Sequence, residues 1–438
     1  MSDNKTPTQT DNSSDNTSSS IKITRYFKLN DFECLLKQEL TDNQGTQNFY
    51  LCDGIDIFAD NEKAQDNDNQ EKLFKNQIKK SVTKFVNRGF DNIIVLLGAG
   101  ASVVNTKDKN GKKYPNPKYG KIVKDLRDIV NQKLKENNLL SIEELSNKIH
   151  FSDTELNDIN FEDFLSNLEG YCRYNTSTEN NSNTSSKKLI EGINKSRNKI
   201  YELIKENLSY EFNGDDLKHI ALINVAISLA TKSNKVHFVT TNYDTLIEEA
   251  AEEAHVTVFD GFTFSKDPVF DSDMFEWNLV KDVPYVNTNE LEYKKGVINL
   301  LKLHGSFSWE KDDDGKIHKK DNTTIHLIIY PISIKYEQTY SEPYFDLFAK
   351  FQELLKRKNS LLITSGFSFG DNHISRMIIN AIKTNRTLSM LVTDYSIDEN
   401  SPIDIKLKEI LGKAYPVALL KATLNDDLTD YFGYKEND

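Results

Sequence analysis

Four stretches of this chain place reactive side chains directly behind apolar runs. NIIVLL leads into Gly98-Ala99-Gly100-Ala101-Ser102, and VHFVT into Thr241-Asn242-Tyr243-Asp244. INLLKL leads into His304-Gly305-Ser306, and LLITS into Gly366-Phe367-Ser368-Phe369-Gly370-Asp371. A glycine-rich turn after a buried strand lets backbone N–H groups and a helix N-terminus meet a phosphate. It also serves as a plain tight strand–helix turn. The third glycine of a G-x-G-x-x-G fingerprint is missing, and Asp125 falls in a helical pattern rather than at a strand end, which disfavours an ordinary dehydrogenase. Asn242 offers donors and an acceptor to ribose hydroxyls, a carboxamide or a water, yet Asn242 or Asp244 would equally cap a helix. His304 fits three roles: a core residue, a metal ligand or a general base. No second His or Cys stands at ligand spacing, so zinc is disfavoured. Gly366 permits close backbone approach, Ser365 or Ser368 could bond a ribose or phosphate, and Asp371 and His373 fit helix capping.

The elements that must carry these groups follow from periodicity. Short apolar runs bounded by turn residues (NIIVLL, KVHFVTT, GVINLLKL, LLITS, LSMLVT) alternate with helical patterns at 120–137, 141–149, 160–173, 187–207 and 215–231. DTLIEEAAEEA is a further helix. The fold class is therefore α/β: a parallel sheet flanked by helices, with a small N-terminal addition. In such sheets ligands bind at the carboxyl ends of the strands, where all four motifs fall. One pocket built from Gly, Ser, Asn and a single imidazole is the expectation. His237, inside its strand, is expected to be a core residue.

The expected domain plan is a disordered tail at 1–20, an N-terminal element with a polar linker at 21–72, a main domain at 73–395 and a C-terminal extension at 396–438. Residues 117–235 are expected to be largely helical. A helix is expected over Leu73–Val86, a mobile loop at 175–186, and a hairpin or exposed loop at 311–324. Beyond residue 385 come LSMLVTD, a helical stretch near 404–412 and a short tail. The 438 residues carry a net charge of -12 with both signs interleaved, which argues against a dedicated nucleic-acid surface. No run approaches the ~20 apolar residues of a membrane span. The polar N-terminus lacks the apolar core of a signal peptide. Cys34, Cys52 and Cys172 form no C-x-x-C pair, so neither a disulfide framework nor a zinc ribbon is expected, and a reducing cytoplasm fits.

GAGAS, TNYD, LHGS and GFSFGDNHI, in this order, resemble the sirtuin-like domain, above all the zinc-free branch of NADases in prokaryotic anti-phage defence. The resemblance spans about residues 85–385 and implies a Rossmann-like sheet with a helical insertion at 117–235. It implies that Gly98, Ala99, Gly100 and Ser102 hold the diphosphate of NAD+, and that Asn242 and Asp244 face the nicotinamide riboside. Gly366 and Ser368 would approach the adenosine half, with Ala101, Thr241, Gly305 and Asp371 completing the binding set. His304 would be the catalytic histidine, with Asn242 orienting water or hydroxyls. The two C-x-x-C pairs of the protein deacetylases are absent, so no metal is expected and peptide deacylation is in doubt. The implied activity is NAD+ glycohydrolysis to nicotinamide and ADP-ribose, an abortive-infection effector working by NAD+ depletion. Partners implied are further copies of the chain and a HerA-type hexameric ATPase, or alternatively an Argonaute-like protein. A zinc-free deacylase, an ADP-ribosyltransferase and a non-catalytic NAD or ADP-ribose sensor are the rival readings.

Overall fold

The computed structural model describes residues 20–42, 45–59, 67–108, 113–121, 123–151, 155–176, 184–230, 235–282, 291–312, 314–320, 327–328 and 342–433. Most of the expected 1–20 tail, the linker at 61–66 and the loop at 177–183 lie outside them.

One eleven-stranded sheet organises the chain. Its strands are β1 (Ser20–Leu29), β2 (Glu33–Asp42), β3 (Gly45–Cys52), β4 (Ile55–Asp56), β5 (Asn92–Leu97), β6 (Val236–Thr240), β7 (Thr257–Phe259), β8 (Val297–Lys302), β9 (Ser360–Ser365), β10 (Leu388–Asp394) and β11 (Val417–Lys421). In space they run β4-β3-β2-β1-β11-β10-β9-β5-β6-β8-β7. Strands β5 to β11 are mutually parallel, and β1 to β4 form an antiparallel meander attached through β1 to β11. Leaving aside the edge strand β7, the parallel order is the doubly wound 3-2-1-4-5-6 arrangement. Its topological switch point falls between β5 and β9.

The strands form where β-branched and leucine residues run without interruption, because both faces are covered. In β5, Ile93, Val95 and Leu97 enter one core and Ile94 and Leu96 the other, as the two-residue repeat of a strand requires. The first core is closed by α1 (Asn67–Val86), α6 (His219–Leu229), α7 (Leu246–Glu253) and α11 (Leu428–Tyr431). The second is closed by α8 (Tyr344–Lys356), α9 (Asn372–Thr384) and α10 (Pro402–Leu407). Helix α9 shows how local sequence sets an element. Asp371 caps its N-terminus, and Ile374, Ile378 and Ile382, four apart, make the buried stripe.

The insertion consists of α2 (Val123–Glu136), α3 (Ile142–Lys148), α4 (Phe161–Thr176) and α5 (Thr184–Leu208). These four helices share a core of their own, built around Leu126, Val130, Leu145, Phe164, Leu168 and Ile200. Phe307 enters that core from just beyond β8, and Tyr243 packs on it from just beyond β6.

Three expectations change. Helix α1 starts at Asn67, six residues ahead of Leu73: Asp68 suits the positive end of the helix, and Glu71 pairs with Lys75 at i,i+4. The region after 396 supplies β11 between β10 and β1, so the sheet continues through the expected boundary at 395/396. The helical stretch near 404–412 is helical over Pro402–Leu407. Residues Trp309–Lys311 and Ile317–Lys319 pair as a hairpin, one of the two forms expected for that segment.

Candidate active site

The four motifs lie side by side on β9, β5, β6 and β8, at their carboxyl ends. At the switch point two glycine loops are pressed together. Gly98 N–H donates to the Ser365 carbonyl at 3.1 Å, Gly100 N–H to the Gly366 carbonyl at 3.0 Å, and Ala101 N–H to the Gly98 carbonyl at 2.9 Å. A Cβ on Gly98 would lie 2.6 Å from the Gly366 oxygen, and one on Gly100 2.7 Å from Gly366 Cα. Gly366 has φ +63°, and its Cβ would fall 2.1 Å from the Ala101 nitrogen. These glycines are thus required by backbone packing against backbone. The tight turn that the sequence also allowed is therefore present, with three of the loop's N–H groups on protein acceptors.

Behind the glycine turn, Ala99–Ser102 forms one turn of 3-10 helix that buries Ser102. The Ser102 hydroxyl donates to Asp244 Oδ2 at 2.8 Å and accepts from the Asn242 amide Nδ2 at 3.1 Å. Asn242 is fixed again by its own N–H, which donates to Thr240 Oγ1 at 3.0 Å. Thr241 N–H donates to the Leu97 carbonyl at 3.1 Å, tying the loop to β5. Burial pushes the Asp244 carboxyl above the usual range, against the opposing effects of the Lys302 charge and the Ser102 hydrogen bond. Lys302 is itself buried, and its ammonium donates to the Asp244 carbonyl and to Glu248 Oε1, the latter at 2.9 Å. Asp244 Oδ1 accepts the Leu246 N–H at 3.3 Å, closing a turn just ahead of α7, whose N-cap is Thr245 rather than Asp244 or Asn242.

His304 follows β8 and is 4% exposed. Its Nε2 lies 3.0 Å from Asp371 Oδ2. The other Asp371 oxygen accepts the N–H groups of His373 and Ile374 at 2.9 and 3.2 Å, the capping role expected for this residue. His373, expected as a cap as well, packs its ring edge-on against Phe348. Ser368 Oγ accepts the Gly370 N–H at 3.3 Å.

A cavity of about 1230 Å³ opens over these strand ends. It is bordered by Gly98, Ala99, Gly100 and Ser102 from β5, by Thr241, Asn242 and Asp244 from β6, by His304, and by Gly366, Ser368 and Asp371 from β9. Two expected residues do not border it. Ala101 is buried in the sheet core, and its carbonyl accepts from Asn425 Nδ2 at 2.9 Å. Gly305 stands at φ +84°, so glycine is needed there by the turn rather than to leave room beside the imidazole.

The cavity also uses residues outside the four motifs: Arg376 on α9, Asp394 and Tyr395 at the end of β10, and Lys121, Phe161 and Tyr210 on the insertion side. Burial raises the Asp394 carboxyl and pushes the Tyr210 phenol up to about 12. LSMLVTDY is a strand followed by an acid, so the rule that selected the other strand ends extends to Asp394. The insertion residues carry no comparable signal. His237 is a core residue as expected, pushed down to about 3 by burial and then by Arg357.

Residues 236–419 match the SIR2-like domain model. This part of the chain is similar to SIR2-like domains. The matched segment carries Asn242, Asp244, His304, Gly366 and Asp371. The Gly98–Ser102 turn lies ahead of it and joins the same cavity through β5. No curated relative matches the chain. Among solved structures, one described as "Structural Basis for the Mechanism and Regulation of Sir2 Enzymes" is similar at 10% identity and TM-score 0.33, over 82% of this chain and 98% of that one. Among the described residues no helix is long and apolar enough to cross a membrane, and no group of three or more His, Cys, Asp or Glu residues could hold a metal ion.

Proposed function

We propose that the protein is an NAD+ glycohydrolase, releasing nicotinamide and ADP-ribose. The observation that carries this reading is that His304 and Asn242 open onto the same cavity as the paired glycine loops of the switch point. The cavity exceeds the ~300–1,000 Å³ of ordinary ligand pockets and suits an extended dinucleotide. With the scissile ribose at the β6 and β8 ends and the diphosphate over the β5–β9 crossing, the adenosine half reaches β10. The SIR2-like match over 236–419 supports an NAD-consuming chemistry.

Nicotinamide leaves as a neutral molecule, so the bond to be broken is weak and the transition state is an oxocarbenium-like ribose. The protein's tasks are to hold that ribose and to manage a hydroxyl or water proton. An imidazole with an unperturbed pKa near 6.5 suits the proton work. The Ser102–Asp244 network fixes the rotation of the Asn242 amide for positioning. Removing a general base costs typically ~10²–10⁴-fold. His304→Ala should therefore lose turnover by about that factor in protein that still unfolds cooperatively, with a lowered midpoint because Asp371 loses its partner. The assay is chromatography of the products from NAD+ with no acceptor present. Wild-type-like nicotinamide release by His304→Ala would overturn the assignment. In a parallel series with an acylated or unmodified protein acceptor added, ADP-ribosylated or deacylated protein in place of free ADP-ribose would favour the transferase or deacylase reading.

We further propose that the activity serves anti-phage defence by NAD+ depletion. Unrestrained turnover would exhaust the host, so the enzyme is held silent until assembly or a HerA-type ATPase releases it. Co-expression followed by co-purification tests the pairing, and NAD+ consumption by the isolated chain at the full rate would refute the gate.

A further inference from the structure

We propose that Asp371 is a positioning residue that fixes which nitrogen of His304 carries the proton, an inference that rests on the NAD+-cleaving reading of the site. The carboxylate has two protein tasks. Its Oδ1 accepts two N–H groups of α9, at 2.9 and 3.2 Å, so it does not rotate without uncapping the helix. The helix in turn is anchored in the sheet core by Ile374, Ile378 and Ile382. Its Oδ2 is thereby held 3.0 Å from His304 Nε2, with both side chains only 5% exposed. Little solvent screens the pair, which makes the contact count for more than a surface ion pair.

An ionised carboxylate only accepts hydrogen bonds. The proton on the facing nitrogen is therefore placed at Nε2, and in the neutral ring Nδ1 is the basic atom. In the reaction, a substrate hydroxyl or water gives its proton to Nδ1. The imidazolium so formed is stabilised by the carboxylate, and the proton leaves from Nδ1 to product or solvent in the reverse step. No oxidant or further reactant is needed. Asp371 acts on the proton transfer through His304, and the same residue that starts α9 aims the base.

The variant that separates the two tasks is Asp371→Asn. Asparagine caps a helix as well as aspartate does. With its oxygen kept on the His373 and Ile374 N–H groups, its NH2 faces Nε2, donor against donor. The imidazole is then driven to carry its proton on Nδ1. Full-length protein labelled with 15N at histidine, with the His304 signals identified by their absence in His304→Gln, reports the tautomer in long-range 1H–15N spectra. The expected result is a proton on Nε2 in wild type and on Nδ1 in Asp371→Asn. The kcat for NAD+ should fall on the order of 10²–10⁴-fold with KM little changed and the thermal midpoint preserved. Asp371→Ser keeps the cap but is too short to reach His304, so it should lose kcat equally and stay folded. An unchanged tautomer in Asp371→Asn, or kcat close to wild type in both variants, overturns the proposal. If wild type releases no nicotinamide even with the ATPase partner supplied, the glycohydrolase reading fails, while the spectra still decide the tautomer.

Discussion

Gly366→Ala tests whether the glycines at the switch point serve the fold or the ligand. The new methyl would sit 2.1 Å from the Ala101 nitrogen and 2.3 Å from the Gly100 carbonyl carbon, both backbone atoms that cannot rotate away. Gly366 also has φ +63°, where an L residue costs roughly 1–2 kcal/mol. Forcing two packed segments apart adds about 1–3 kcal/mol. The sum, about 2–5 kcal/mol, is a large part of the ~5–15 kcal/mol that holds a folded protein together. Gly89→Ala is the control, because Gly89 has φ +76° and nothing within 4 Å of its Cβ position, so it carries the backbone term alone. Urea unfolding of ligand-free protein, fitted by linear extrapolation, reads both variants. The expectation is a Gly366→Ala loss clearly larger than that of Gly89→Ala, with NAD+ absent throughout. Equal losses, or a Gly366→Ala protein that is stable without ligand yet binds NAD+ poorly, would refute the packing argument and return the glycine to the ligand.

Two further predictions concern buried charges. His237 is held neutral, pushed down to about 3 from 6.5 by burial, so between those values the unfolded chain binds the extra proton. Stability should then fall as the pH drops below 6.5, by up to about 1.4 kcal/mol per pH unit. His237→Phe should flatten this slope in urea titrations, and an unchanged slope would contradict the burial. Lys302→Met should destabilise by about 3 kcal/mol, since Glu248 loses its cation and the Asp244 carbonyl a donor. Adding Glu248→Leu should restore most of that loss, and a strictly additive double variant would show that the pair is not coupled.

The sheet was legible in the sequence because its strands are buried on both faces and therefore spell continuous apolar runs. Strand β11 escaped because it is five residues long, sits behind Pro416 and resembles a helical tail in composition. The start of α1 escaped because its first turn is polar and solvent-facing, leaving no apolar period to mark it. The positions of His304, Asn242 and Asp244 could be read from strand ends alone. The Asp371 contact with His304 could not: it spans 67 residues of chain and exists only because β8 and α9 meet at one edge. The glycines taught the reverse lesson. Their types were legible, and the physical reason for them lies in one loop lying on another.

The placing of Tyr243 and Phe307 has a consequence for control. Tyr243 stands between Asn242 and Asp244, and Phe307 three residues beyond His304. Their rings meet at 5.6 Å, with Phe307 buried in the core of the helical insertion and Tyr243 packed on it. The two loops that carry His304 and Asn242 therefore pack on α2–α5 as well as on the sheet. A binder on the outer surface of α2–α5 should therefore, under the proposed NAD+-cleaving reading, change kcat without competing with NAD+, which steady-state inhibition patterns would read.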